Sequence, residues 1–222
     1  MPALRSQHAG FVRGVDLIKV PLTTALEQLR ARLAQQMPQR LEAPPPLLRA
    51  AVLIPLLRRG EQVEVLFTRR TDTVLTHKGQ ISFPGGQREA SDDSMIETAL
   101  RESYEEIGLA AASVSVLGEL DDMFTWVSGY VVTPVVGLVA EPMPPLSLAP
   151  SEVKSVFTVP VERLLDDSVH STETRSVDGH PYQIHFFRVE DDVIWGATGF
   201  MLHQFLQAWG GAVSEAVSRS RS

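Results

Sequence analysis

The chain has 222 residues, 44% hydrophobic and 21% charged, which suits one well-buried globular core with an appendage and falls short of two full domains. It has no cysteine, so disulfides, thiolate metal sites and cysteine nucleophiles are removed together, and a reducing, cytoplasmic setting is expected. A formal net charge of −7 argues against a general nucleic-acid binder, which needs a basic face. It leaves a small phosphorylated ligand open, because a divalent cation can reverse the sign of a carboxylate-rich site.

Residues 1–20, MPALRSQHAGFVRGVDLIKV, lack the continuous apolar stretch of a signal peptide. The longest apolar runs, such as AAVLIPLL at 50–57, have strand length and fall far short of the roughly 20 residues that cross a bilayer, so no membrane partner is expected. Leu26, Leu29 and Leu33 with Ala25 predict a helix over 23–36, opened by a threonine suited to N-capping. Three prolines in LEAPPPLL, residues 41–48, then make a linker. Residues 1–45 therefore read as an N-terminal helical extension that packs on the core or on a second subunit, which leaves a homodimer open.

Short β-rich runs follow: RAAVLIPLL (49–57), VEVLFTRR (63–70), GQISFPGG (79–86), VSVLGEL (114–120), GYVVTPVVGLV (129–139), SVFTV (155–159) and YQIHFFRV (182–189). Two long helical patterns interrupt them, one rich in glutamate and one at about 195–209. The expected class is α+β, a mixed sheet flanked by helices, within one domain over 46–210. Residues 211–222 are expected to form a flexible tail.

The glutamate-rich stretch, DDSMIETALRESYEEIG, carries its own start and stop signals. Ser94 with Glu97 makes a capping box, and Gly108 stands where a left-handed C-terminal residue is wanted. Ile96, Ala99, Leu100, Ser103 and Ile107 form the buried face, and Glu102, Glu105 and Glu106 point away from its centre. Acidic helix faces are usually just solvated. Here the acids crowd the C-terminal end, where the helix dipole disfavours negative charge, and the helix is entered through FPGG, whose Gly85 and Gly86 suit close backbone approach to a ligand. Hard cations take oxygen ligands, and carboxylates at i, i+3 and i+4 suit Mg²⁺ or Mn²⁺ as the compensating charge.

These residues resemble the Nudix hydrolase signature: Gly85 and Gly86, an acidic residue at Asp92 or Asp93, Arg101 and Glu102, Glu105 and Glu106, then Gly108 and Leu109. The spacer before Arg101 is one residue longer than the commonest form, and an aspartate replaces its usual glutamate. The longer spacer resembles the coenzyme A pyrophosphatase subgroup, as does LFTRRTDTVLTHKGQISFPGG at 66–86, with Thr68, Arg70, His77, Gly79, Gln80, Phe83 and Pro84 in place and departures at Thr71 and Leu75. The stretches GELDDMFTWVSGYVVTPVVG and IWGATGFML extend the likeness over roughly 48–205.

The resemblance implies a Nudix-type mixed sheet sandwiched between helices and in-line attack of water on a diphosphate, with metal ions offsetting charge. The subgroup's substrate would be coenzyme A or an acyl derivative, cut to 3',5'-ADP and 4'-phosphopantetheine. Glu102 and Glu106 are the first metal ligands expected, and Glu105 a third ligand or part of the base system. Arg101 is expected to orient one of these glutamates. Arg70 and Lys78 are candidates to meet phosphate oxygens, while His77 more simply holds its loop. Glu119, Asp121 and Asp122 are either further carboxylates for the site or a polar turn, and Trp126 and Tyr130 either stack on adenine or fill the core. Two other readings stay open: a Nudix hydrolase for ADP-ribose or a nucleoside triphosphate, and a non-catalytic nucleotide-binding module, which would be expected to have lost one of the three glutamates.

Overall fold

A computed structural model describes residues 20–71, 80–125, 128–177 and 180–220. Helix α1 (Leu22–Gln35) leads to an antiparallel pair, β1 (Leu48–Arg59) and β2 (Gln62–Arg70). Short strands β3 (Ile81–Ser82) and β4 (Gly85–Gln87) precede α2 (Met95–Ile107). After a 3-10 turn come β5 (Val114–Glu119), β6 (Met123–Thr125), β7 (Tyr130–Val139) and β8 (Val153–Pro160). The one-turn α3 (Val161–Leu164), β9 (His170–Val177), β10 (His180–Val189), β11 (Asp192–Ile194) and α4 (Gly196–Ser220) complete the order.

The main sheet runs β3-β2-β1-β7-β5, with β4 paired to β1, β6 to β7 and β8 to β2. It is mixed, because β1 is parallel to β7 and antiparallel to β2. Alternate side chains of β1 serve two cores: Ala50, Ile54 and Leu56 face α1 and α4, while Ala51, Leu53 and Leu57 face α2. A strand buried on both faces must be apolar at nearly every position, which is why RAAVLIPLL reads as a continuous run. The expected α/β/α sandwich is what the chain forms. A second sheet, β11-β10-β9, is tied to β2 by Arg69, which pairs with Asp192 at 2.8 Å.

Three features bear on those expectations. Helix α1 buries Leu22, Ala25, Leu26, Leu29 and Leu33 in its own chain's core beside α4, so its apolar face gives no argument for a homodimer. The C-terminal helix continues to Ser220 rather than giving way to a flexible tail at 211, because Ala212, Val213 and Ala216 stay buried and Glu215 pairs with Arg32 of α1 at 2.6 Å. Strand β9, HSTETRSV, went unpredicted because residues 171–176 are exposed and polar and carry no hydrophobic period; only pairing to β10 makes it a strand. Among the described residues no helix is long and apolar enough to cross a membrane.

Glu119, Asp121 and Asp122 hold the linker after α1. The fully buried Asp122 carboxylate accepts from Arg40 (3.0 Å), the Leu41 N–H (3.1 Å), Arg49 (3.4 Å) and the Thr133 hydroxyl (2.7 Å). Glu119 takes the other arm of Arg40, and Asp121 accepts from the Gln39 N–H. These acids form a strap anchor, which is the polar-turn alternative made specific.

Candidate active site

The ends of α2 are built as its sequence predicts: Ser94 accepts from the Glu97 N–H at 3.1 Å, and Gly108 closes the helix in the left-handed region. The second half of the capping box is displaced by one residue, since the Glu97 carboxylate accepts from the Asp93 N–H instead. Between β3 and α2, the Gly85-Gly86 segment lies along β1 and under the helix. A Cβ on Gly86 would stand 2.5 Å from the Glu102 carboxyl carbon, so any larger residue here would push that carboxylate aside.

The three glutamates do not share one solvated face. Glu106 is buried, accepts from the Gly85 N–H at 3.2 Å and lies 3.5 Å from Arg70. Burial raises its pKa to about 7, against the opposing pull of the Gly85 N–H and Arg70. Glu102 is partly buried and also raised by desolvation, which Arg101 counters. Glu105 is the exposed member, 3.1 Å from Arg101.

Arg101 is held on several sides. Its Nε and one terminal nitrogen donate to the two oxygens of buried Asp92 at 3.0 and 2.9 Å, and it also reaches Glu102 at 2.9 Å and the Gln87 carbonyl at 2.9 Å. Asp92 is fixed further by the Glu89 N–H and the Thr98 hydroxyl. This bidentate pair holds the Asp92 carboxyl well below the usual carboxylate range and raises Arg101 further. Of the two acidic candidates in the spacer, Asp92 is therefore the one turned to the site, and Asp93 is exposed.

Arg70 lies between Glu106 and a residue the sequence reading missed, Glu152, whose carboxylate is 3.9 Å from it. The charge on Glu152 is felt at both Glu102 and Glu106. Nothing local in LAPSEVK marks this glutamate. Register does: β8 pairs with β2 so that Val153 sits opposite Arg70, and the Thr71 N–H donates to the Glu152 carbonyl. Lys78, His77 and Trp126 lie outside the described residues. Tyr130 packs against the core and donates its hydroxyl to Gln87 at 3.0 Å.

The donor set suits a hard divalent cation. Glu102, Glu105 and Glu106 offer only oxygens, Asp92 occupies much of Arg101, and desolvation drives Glu106 toward its protonated form when no cation is there to share its charge. Gly85 and Gly86 keep a backbone edge beside these carboxylates, where a ligand can come close.

Comparison with known proteins gives the family and the fold. The NUDIX domain family model matches residues 47–179. The chain is 38% identical over 177 residues to an uncharacterized Nudix hydrolase, NudL, of Photorhabdus laumondii, covering 76% of this chain and 92% of that protein. It is 38% identical over 159 residues to a NudL of Yersinia pestis, covering 72% and 78%. A MutT/nudix family protein from Enterococcus faecalis, 18% identical, superposes with a TM-score of 0.50 over 82% of this chain and 68% of its own, a likeness in fold alone. With the signature helix, the sandwich around it and these relatives in agreement, the chain belongs to the Nudix family and is a hydrolase acting on pyrophosphate bonds.

Proposed function

We propose that the chain is a metal-dependent diphosphatase of coenzyme A or its acyl derivatives, releasing 3',5'-ADP and 4'-phosphopantetheine or its acyl form. The observation that carries this reading is the meeting of two separate segments. Arg70, from the upstream stretch that resembles the coenzyme A subgroup, sits 3.5 Å from Glu106 of the acidic helix.

Glu102, Glu105 and Glu106 would hold Mg²⁺ or Mn²⁺, which when bound offsets charge on the diphosphate oxygens and lowers the pKa of a bound water. The chain's own residues do the rest by position. Water adds to one phosphorus, the bridging P–O bond opposite it breaks, and the water proton passes to a carboxylate. Glu105 and Glu152, both about half exposed, are the groups open enough to receive that proton. Arg70 is placed to turn from Glu106 and Glu152 to the phosphate oxygens as substrate arrives, and Lys78 follows it in the same segment. Arg101, clamped by Asp92, holds Glu102 and Glu105 in place, so that little reorganisation is left for the reaction itself.

A product assay tests the reading: coenzyme A, ADP-ribose and a nucleoside triphosphate, each with Mg²⁺, Mn²⁺ or EDTA, on wild type and Glu106→Gln. The expected result is metal-dependent release of 3',5'-ADP from coenzyme A that is lost in the variant. Turnover of ADP-ribose or the triphosphate alone would keep the family chemistry and discard the substrate. Tight binding of one nucleotide without turnover would replace the enzyme with a binding module.

A further inference from the structure

Away from the acidic helix, three imidazoles meet where α4 lies over β9 and β10. His170 of β9 pairs opposite Phe187 of β10, and His185, two residues earlier on β10, shows the same face. His203 comes from α4. One turn before it, a Cβ on Gly199 would stand 2.4 Å from the His185 carbonyl oxygen, so glycine is what allows helix and strand to approach this closely. That approach sets the His203 ring centroid 3.9 Å from that of His185. One ligand nitrogen from each histidine lies within 4.8 Å of the other two, with His170 Nε2 and His185 Nδ1 2.9 Å apart. Packing alone does not call for this: Phe187, stacked on His170, fills the same layer without a polar edge to satisfy.

We propose that His170, His185 and His203 form a second metal site, one for a divalent transition-metal ion of the zinc class. Imidazole suits zinc, cobalt, nickel and copper, whereas magnesium and calcium favour oxygen, so this site and the acidic helix select different ions. The rings lie within 18° of parallel. Binding therefore requires the imidazoles to turn about Cβ–Cγ and aim their lone pairs at a common point. His170 and His203 are only partly buried and border solvent, while buried His185 is the fixed member. Three protein ligands leave the fourth position of a tetrahedral ion for water or an added ligand. An ion held there joins α4 to β9 and β10, and its effect is on the stability of that junction, independent of turnover.

Cobalt(II) is the probe, because its visible d–d bands report tetrahedral nitrogen ligation, and excess Mg²⁺ keeps the oxygen-donor site filled without colour. Metal-stripped full-length protein is titrated with Co²⁺, then with Zn²⁺. The expected result is one equivalent of tetrahedral cobalt, displaced by zinc and retained in Glu106→Gln. Kd is expected to weaken about ten-fold or more in His203→Asn and in His170→Asn, and zinc to raise Tm only where all three histidines are present. His170→Asn, at a partly exposed position, serves where the α4 variant fails to fold. Absence of tetrahedral bands in the wild type, bands unchanged by either histidine variant, or bands lost in Glu106→Gln would overturn the proposal.

Discussion

Glu106 is a carboxylate that water scarcely reaches, with one backbone N–H and one guanidinium for company. Its pKa in the folded chain, about 7, lies above the ordinary 4.5, so the folded state binds the extra proton. Its contribution to stability is complete below about pH 4.5 and is lost as pH rises through about 7. The metal-free wild type is therefore expected to lose Tm over that interval relative to Glu106→Gln, and Mg²⁺ or Mn²⁺ to remove the difference by taking the proton's place. Parallel Tm–pH curves for the two proteins would refute this. Glu152 makes a second test at the same scale. Because it is half exposed, Glu152→Gln is expected to leave the unfolding free energy within about 0.5 kcal/mol of wild type. As a member of the site it should lower kcat about 10–100-fold; an unchanged kcat would return it to a surface role.

At the scale of elements, α2 was legible because its signals are local: a serine N-cap, an αL glycine and an apolar stripe with a 3.6-residue period all lie within the helix itself. The burial of Glu106 was not legible. A helical wheel describes one helix, and what covers the flank of its stripe is the Gly85-Gly86 segment, which β1 holds in place through β4. Gly86→Ala tests that contact. The added Cβ meets the Glu102 carboxylate, so kcat/KM is expected to fall about ten-fold or more while far-UV circular dichroism stays that of wild type. Full activity in this variant would mean that Glu102 is free to move aside.

Across the whole molecule, the acids of GELDD show how one residue pattern admits two uses. Asp122 serves as the common acceptor for Arg40, Arg49, the Leu41 N–H and Thr133, fixing the linker that brings α1 back over the sheet. Asp122→Ala leaves those donors without their acceptor and is expected to destabilise the chain by about 2–4 kcal/mol. In urea this reads as a lowered midpoint with kcat near wild type at low temperature. A midpoint within error of wild type would show that the strap contributes nothing to the fold.

By itself the sequence determined the capped acidic helix and an α+β class with a mixed sheet flanked by helices, because periodicity and caps are properties of neighbouring residues; its contiguous motif carried the resemblance that implied the pyrophosphate chemistry. Only the tertiary structure decided that Glu106 is buried, that Arg70 reaches it and also lies beside Glu152, and that Asp92 rather than Asp93 clamps Arg101. It also decided that the residues after 210 continue a helix and that three histidines meet beside Gly199. Most of these outcomes rest on strand register and helix approach between segments tens of residues apart, and the Asp92 clamp rests on how the loop before α2 folds back on the helix. No local pattern of residue types encodes such pairings.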